Sequence, residues 1–263
     1  MRFMRLRNWI GVGGLLLLAL FLGGADGGGC GGKNVFKDVA DDSSTQAKIE
    51  AAKIDIDQQD YTGAITILEG ICGTDANAPT CDSSTVSLLA SAYMGRGGLN
   101  MLQMVGDSQT DSTWPCTFSL FSRSYGDVPL SQLQSNQGDL LKSLSLLKSI
   151  PSRTLDEGFQ FMIGGMAELV VELGLISNTG ATNNGYDVKG QPVNPPGSPA
   201  GVPGSTVAQV NLDLGYISTG LSESGLTNEQ IGDAIKEVLT EFGTADATSV
   251  FVFLQDLKTA TCS

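Results

Sequence analysis

The sequence contains no histidine, and this absence excludes several kinds of active site. Histidine is the commonest general base in enzymes, and the Ser-His-Asp and Cys-His nucleophile systems require it. No two cysteines are separated by only two residues, so neither a zinc site nor a haem attachment site is expected. We therefore predict no catalytic residue, no metal and no cofactor, and we expect that the protein is not an enzyme.

Basic residues are also scarce, since 15 Lys and Arg stand against 28 Asp and Glu and give a net charge of −13 at pH 7. Nucleic-acid binding and electrostatic docking on anionic lipid both depend on clustered Lys and Arg. The charge balance therefore predicts no nucleic-acid partner. Attachment to a membrane would have to come from an anchor rather than from a basic surface.

The N-terminal residues are typical of an export signal. Arginines within the first seven residues precede an apolar run at residues 9–22, which is shorter than the roughly 20 residues of a membrane-spanning helix. Small residues follow, and then Cys30 stands in a glycine-rich stretch. An ordinary signal would be cleaved near Ala25 and would leave Cys30 as a free or paired thiol.

The same residues resemble a bacterial lipoprotein signal, in which the cysteine becomes the first residue of the mature chain and carries a lipid. Gly27 stands where that family usually has Leu, and small residues fill the other positions before the cysteine. The resemblance implies a signal peptide at residues 1–29, a lipid on Cys30 and a tether at residues 30–44. It also implies a lipid-anchored protein on the periplasmic face of the bacterial cell envelope, with the outer membrane favoured over the inner.

The cysteine count agrees with a lipid on the first cysteine. An odd number of cysteines in an exported chain leaves one thiol to explain, and exported compartments favour disulfides. Three pairings of the other four cysteines are open, and the short separation with a glycine and a proline between them favours Cys72 with Cys81. Cys116 would then pair with Cys262. The five cysteines are Cys30, Cys72, Cys81, Cys116 and Cys262.

Helical periodicity begins after the tether. Residues 45–57 carry a loose apolar stripe, and apolar residues from Tyr61 to Ile71 recur at helical spacing. The stretch Gln59-Asp60-Tyr61 with Ala64, and the stretch Leu89-Ala90-Ser91-Ala92-Tyr93, resemble tetratricopeptide repeats. The resemblance implies helical hairpins at residues 45–104 that stack into an array.

The remaining residues, 105–263, are expected to be a helical remainder with a long Asn/Gly/Pro-rich loop at 177–204. Asp139 could cap one helix, and Thr227 with Gln230 forms a capping-box pattern before another. For Val250 to Leu257 helix is favoured over strand.

Residues 159–176 are apolar almost all round, which fits either a membrane span or a buried central helix. Glu168 and Glu172 would be costly in hydrocarbon, so the buried helix is preferred. These two glutamates are one turn apart and are expected to face solvent.

The sequence thus predicts an all-α protein of tetratricopeptide-like hairpins packed with further C-terminal helices. Helical repeats present surfaces to protein partners, so the predicted function is a scaffold or adaptor for other envelope proteins. The alternative is a small-molecule binding or accessory component of an envelope transport system, with a ligand between helices. Tyr61, Tyr93 and Trp114 are the candidate residues of a groove or pocket.

Overall fold

The described residues between 44 and 259 fold mainly into α-helices. The computed structural model describes residues 44–99, 118, 122, 125, 130–177, 186, 191–192, 194–226 and 230–259. The helices are α1 (Thr45–Asp57), α2 (Tyr61–Cys72), α3 (Ser83–Arg96), α4 (Leu130–Ser149), α5 (Leu155–Ile176), α6 (Gly204–Glu223), α7 (Gln230–Phe242) and α8 (Ala247–Thr259), with a 3-10 turn at Pro199–Gly201. No strand occurs within these ranges, and the predicted all-α class is confirmed.

The first three helices begin where a short polar side chain precedes them. Ser44, Asp60 and Asp82 each accept a hydrogen bond from the backbone N–H three residues later. Each bond satisfies one of the free donors in the first helical turn. Gln59 adopts a left-handed backbone with φ of 62°, which reverses the chain between α1 and α2. The same place in the resembling repeats is often a glycine, whose backbone adopts this conformation readily.

Successive helices pack against one another along the chain. α1 packs on α2, α2 on α3, α3 on α4, α4 on α5, and α5 on α6. α1 also contacts α3, and α3 contacts α5, so the odd-numbered helices adjoin one another. This order of contacts is that of helical hairpins packed side by side, as the sequence predicted.

α5 is the central helix of the fold. Every residue from 161 to 174 is buried. Among the described helices, α5 alone has the length and mean hydropathy of a membrane span, although 78% of its apolar window is buried inside the protein. The core helix of a soluble protein can have the same length and hydropathy as a membrane span. The burial of α5 agrees with the predicted central helix.

Several predicted details can be compared with the helix ends. Asp139 lies inside α4 rather than at its start, because α4 begins at Leu130, so its predicted capping role is wrong. A capping box joins Thr154 and Glu157 at the start of α5, and this Thr-x-x-Glu pattern was not recognised in the sequence. Thr227 lies outside the described residues. Val250–Leu257 lies within α8, which confirms helix there.

Candidate functional site

The three aromatic residues predicted to line a groove occupy different environments. Tyr61 begins α2 and is half-buried, and its ring lies so close to Gly95 of α3 that a Cβ there would clash with it. Tyr93 of α3 is only 2% exposed. Trp114 lies outside the described residues. Tyr93 is therefore a core residue with a polar tip, and the groups around that tip define its role.

Four side chains lie around the Tyr93 ring and hydroxyl, and together with Tyr93 we name them the tyrosine cluster: Glu69, Tyr93, Arg96, Asp139 and Lys142. The Tyr93 hydroxyl donates a hydrogen bond to Glu69 Oε1, and Lys142 Nζ donates to the same oxygen at 2.6 Å. Arg96 donates two hydrogen bonds to Asp139, at 2.7 and 2.8 Å. The Lys142 ammonium also lies 4.7 Å from the centre of the Tyr93 ring. The cluster thereby links α2, α3 and α4.

The electrostatics of the tyrosine cluster keep Glu69 ionised and Tyr93 protonated at neutral pH. Burial alone would raise the pKa of Glu69, but the hydrogen bonds from Lys142 and Tyr93 outweigh it and lower that pKa. Burial, together with the bond to Glu69, raises the pKa of Tyr93. Tyr93 therefore remains a hydrogen-bond donor to an ionised carboxylate, which is a stabilising arrangement between three helices.

A second polar group lies in the core between α4, α5 and α6. It consists of Glu168 and Glu172 of α5 and Asp213 of α6, and we name these three residues the acid cluster. Glu168 and Asp213 are 0% exposed and Glu172 is 8% exposed. The expectation that Glu168 and Glu172 face solvent is therefore wrong, because α4 and α6 pack over the face of α5 that carries them.

Two glutamines supply N–H donors to the acid cluster. Gln137 of α4 donates to Glu168 Oε1 at 3.2 Å and to Glu172 Oε2 at 2.6 Å. Gln209, one turn before Asp213 on α6, donates to Asp213 Oδ1 at 2.9 Å. The other oxygens of the two fully buried acids, Glu168 Oε2 and Asp213 Oδ2, receive no such donor, and neither does the nearby hydroxyl of Tyr125. Buried polar atoms without a partner are rare in folded proteins, so these atoms call for an explanation.

Burial dominates the ionisation of the acid cluster. Desolvation raises the pKa of Glu168, although hydrogen bonds with Asp213 and Gln137 act in the opposite direction. Desolvation also raises the pKa of Asp213 well above its usual range, and the hydrogen bond to Glu168 and that residue's charge add to the effect. Within the part of the chain that the structure describes, no group of three or more His, Cys, Asp or Glu side chains is arranged to hold a metal ion. Three buried carboxyl groups with raised pKa values at Glu168 and Asp213 are an arrangement that can hold a proton.

The sequence carries a signal for the burial of Asp213. Val210, Leu214 and Ile217 recur at helical spacing as a packing seam of α6, and all three are buried. Asp213 directly precedes Leu214 and lies three residues after Val210, so helical spacing places it beside the same seam. A carboxylate at such a position needs a buried partner, and Glu168 in the apolar helix α5 was the matching candidate.

The predicted disulfide between Cys72 and Cys81 is confirmed, with a Cα–Cα distance of 4.6 Å. Cys30, Cys116 and Cys262 lie outside the described residues, so the lipid and the second disulfide remain predictions. When the chain is compared with models of known families, with curated proteins and with solved structures, nothing matches it. Functional inference therefore rests on the chain's own residues and geometry.

Proposed function

We propose that this protein is a lipid-anchored scaffold or adaptor that binds another protein of the bacterial cell envelope. The observation that carries the proposal is the side-by-side packing of α1 to α6, in which each helix contacts its neighbours in sequence. Arrays of this kind bury one side of each helix in the array and leave extended surfaces for partners. The export signal and Cys30 would place that surface on the periplasmic face of a membrane, with the outer membrane favoured.

The contacts between the first helices support a binding role, because they hold the surface in one shape. The Cys72–Cys81 disulfide closes the loop between α2 and α3. The tyrosine cluster then fixes α2 and α3 against α4 through Lys142 and Asp139. A surface that is rigid before binding loses little conformational freedom on association, which favours affinity.

Site-specific photo-crosslinking in cells tests the proposal directly. A photoreactive amino acid is placed at Ile54 of α1 or Leu141 of α4, which are 55% and 37% exposed in the array. The matched control position is Val252 of α8, which is 41% exposed and lies outside the array. We expect one envelope protein to be captured from an array position and not from Val252. Capture of no protein at either array position would contradict the scaffold role.

A further inference from the structure

We propose that Glu168 and Asp213 share one proton in the core of the folded protein at neutral pH, as a carboxyl–carboxylate pair that joins α5 to α6. The two side chains act on one another in the interface between α5 and α6, and neither is exposed to solvent. Carboxylate oxygens only accept hydrogen bonds, so the two acids can bond to each other only if one of them carries a proton.

The pattern of occupied and unoccupied oxygens supports the shared proton. Glu168 Oε1 and Asp213 Oδ1 accept N–H donors from Gln137 and Gln209 respectively. Glu168 Oε2 and Asp213 Oδ2 are buried and receive no donor. A buried acceptor without a partner destabilises the folded state. A single proton between Oε2 and Oδ2 would give each of these atoms a partner.

The surroundings of the pair make ionisation of both acids at once unfavourable. Among the described residues, the groups that act on the pair are Glu172 of α5, Gln137 of α4, Gln209 and Tyr216 of α6, and Tyr125, and none of these five is a cation. Two adjacent negative charges in a buried site repel strongly, and one of them then keeps its proton. The N–H donors from the two glutamines favour one remaining negative charge. Burial raises the pKa of both acids; the charge of Glu172 adds to the rise at Glu168, and the hydrogen bond and charge of Glu168 add to the rise at Asp213.

The shared proton makes folding depend on pH in a defined direction. In the unfolded chain both acids ionise near their ordinary pKa values, whereas the folded chain keeps one proton, so folding takes up a proton at neutral pH. Because the folded pKa is raised, the stabilisation is complete below the unfolded pKa and decreases as pH rises toward the folded value. One proton taken up on folding corresponds to a tenfold fall in the folding equilibrium constant per pH unit.

The absence of histidine makes this effect easy to isolate. Histidine is the only side chain whose unperturbed pKa places its charge change between pH 5 and 8, and this chain has none. We would measure the unfolding equilibrium constant of the full mature chain by chemical denaturation at several pH values between 6 and 8. Asp213→Asn is the test variant, because its amide N–H can replace the shared proton. Asp256→Asn on the exposed surface of α8 is the matched control.

The wild type and Asp256→Asn are expected to lose about tenfold in the folding constant per pH unit, whereas Asp213→Asn shows no such dependence. A wild type without pH dependence would overturn the proposal, and so would an Asp213→Asn variant that keeps the wild-type dependence. If Asp213→Asn does not fold, infrared spectra of the wild type at pH 7 decide the question. The folded protein should show the carbonyl band of a protonated carboxyl group, and this band should vanish on unfolding. Absence of the band from the folded protein would also overturn the proposal.

Discussion

Gly220 of α6 lies directly against the backbone of Met162 in α5, and a Cβ built on Gly220 would come within 2.4 Å of the Met162 nitrogen. The carbonyl oxygen of Gly158 would lie 2.7 Å from this added Cβ. Both obstacles belong to the backbone of a helix and cannot move aside as a flexible side chain can. Glycine at residue 220 is therefore required for the close approach of α5 and α6.

Gly220→Ala is expected to lower the free energy of unfolding by about 2–3 kcal/mol, because added volume in a close-packed interface forces the helices apart. Gly215→Ala on the same helix is the control, since nothing lies within 4 Å of a Cβ at that residue. Alanine there should raise the free energy of unfolding by about 0.5–1 kcal/mol. Chemical denaturation of both variants measures the difference, and similar effects from the two would contradict this picture of the interface.

The helices could be predicted from periodicity because their buried faces follow the 3.6-residue repeat. In α2, the apolar residues predicted to share a face include Ala64, Ile65 and Leu68, and all three are buried. α5 was predicted as a central helix because its apolar residues occur all round it. Periodicity does not reveal which helices contact one another, so the close approach at Gly220 was invisible in the sequence.

Arg153 gives a second prediction. It precedes α5 and donates two hydrogen bonds to Glu223 at the end of α6, at 2.6 and 2.9 Å, and one to the Leu147 carbonyl. Its guanidinium carbon lies 4.4 Å from the centre of the Phe161 ring. Lysine cannot reproduce the paired donors or the stacking. We expect Arg153→Lys to lower the free energy of unfolding by about 1–2 kcal/mol.

Arg96→Lys is the comparison for Arg153→Lys, because Arg96 also makes a two-point ion pair, with Asp139. The Arg96 side chain is 37% exposed, whereas that of Arg153 is 11% exposed. Solvent screens the more exposed pair, so Arg96→Lys should cost less, about 0.5–1 kcal/mol. A larger loss for Arg96→Lys than for Arg153→Lys in the same denaturation assay would be evidence against this ranking.

The Tyr93 hydroxyl provides a third prediction. Tyr93→Phe removes the hydrogen bond to Glu69 and leaves the ring in the core, so about 1–2 kcal/mol of stability should be lost. Glu69 would keep its bond to Lys142, which limits the loss. Tyr61→Phe is the control, because the Tyr61 ring packs on Gly95 and does not bind Glu69. If both variants lose the same stability in thermal unfolding, the hydrogen bond between Tyr93 and Glu69 does not stabilise the fold.

Side-chain burial explains why the acid cluster was not predicted. Glu168 and Glu172 were correctly placed on one face of α5, but surface exposure is the ordinary state of glutamate, and the sequence gives no distance to Asp213 of α6. Tyr93 shows that the burial of an aromatic side chain was not predicted either. Tyr93 is a predicted residue of a groove or pocket, yet it lies in the core because α2 and α4 cover it.

The Cys72–Cys81 disulfide gives a fourth prediction. It closes a short loop, with the two cysteines nine positions apart, and the chain-entropy relation assigns such a loop about 2–3 kcal/mol. Cys72→Ala combined with Cys81→Ala should lower the free energy of unfolding by that amount. Alanine is preferred to serine because Cys72 is buried, and a hydroxyl there would add a desolvation cost.

The same experiment tests the second predicted disulfide. The double variant keeps Cys116 and Cys262, so a further loss of stability on adding reductant would come from their bond. Peptide mapping without reduction should recover a Cys116–Cys262 peptide pair from both proteins. Free thiols at both residues in the mature protein would show that this pairing is wrong.

The fifth prediction concerns the lipid on Cys30. If Cys30 is the first residue of the mature chain, then mass spectrometry of its N-terminal peptide should show an acylated cysteine and no residue from 1–29. Cys30→Ser should move the protein from the membrane fraction to the soluble or unprocessed fraction. Cys81→Ser is the matched control, because it also removes one cysteine but leaves the signal unchanged. An unmodified Cys30, or a mature chain that begins near Ala25, would show that an ordinary export signal is present. Glycine at residue 27 makes this measurement informative, because leucine usually occupies that place in the resembling signals.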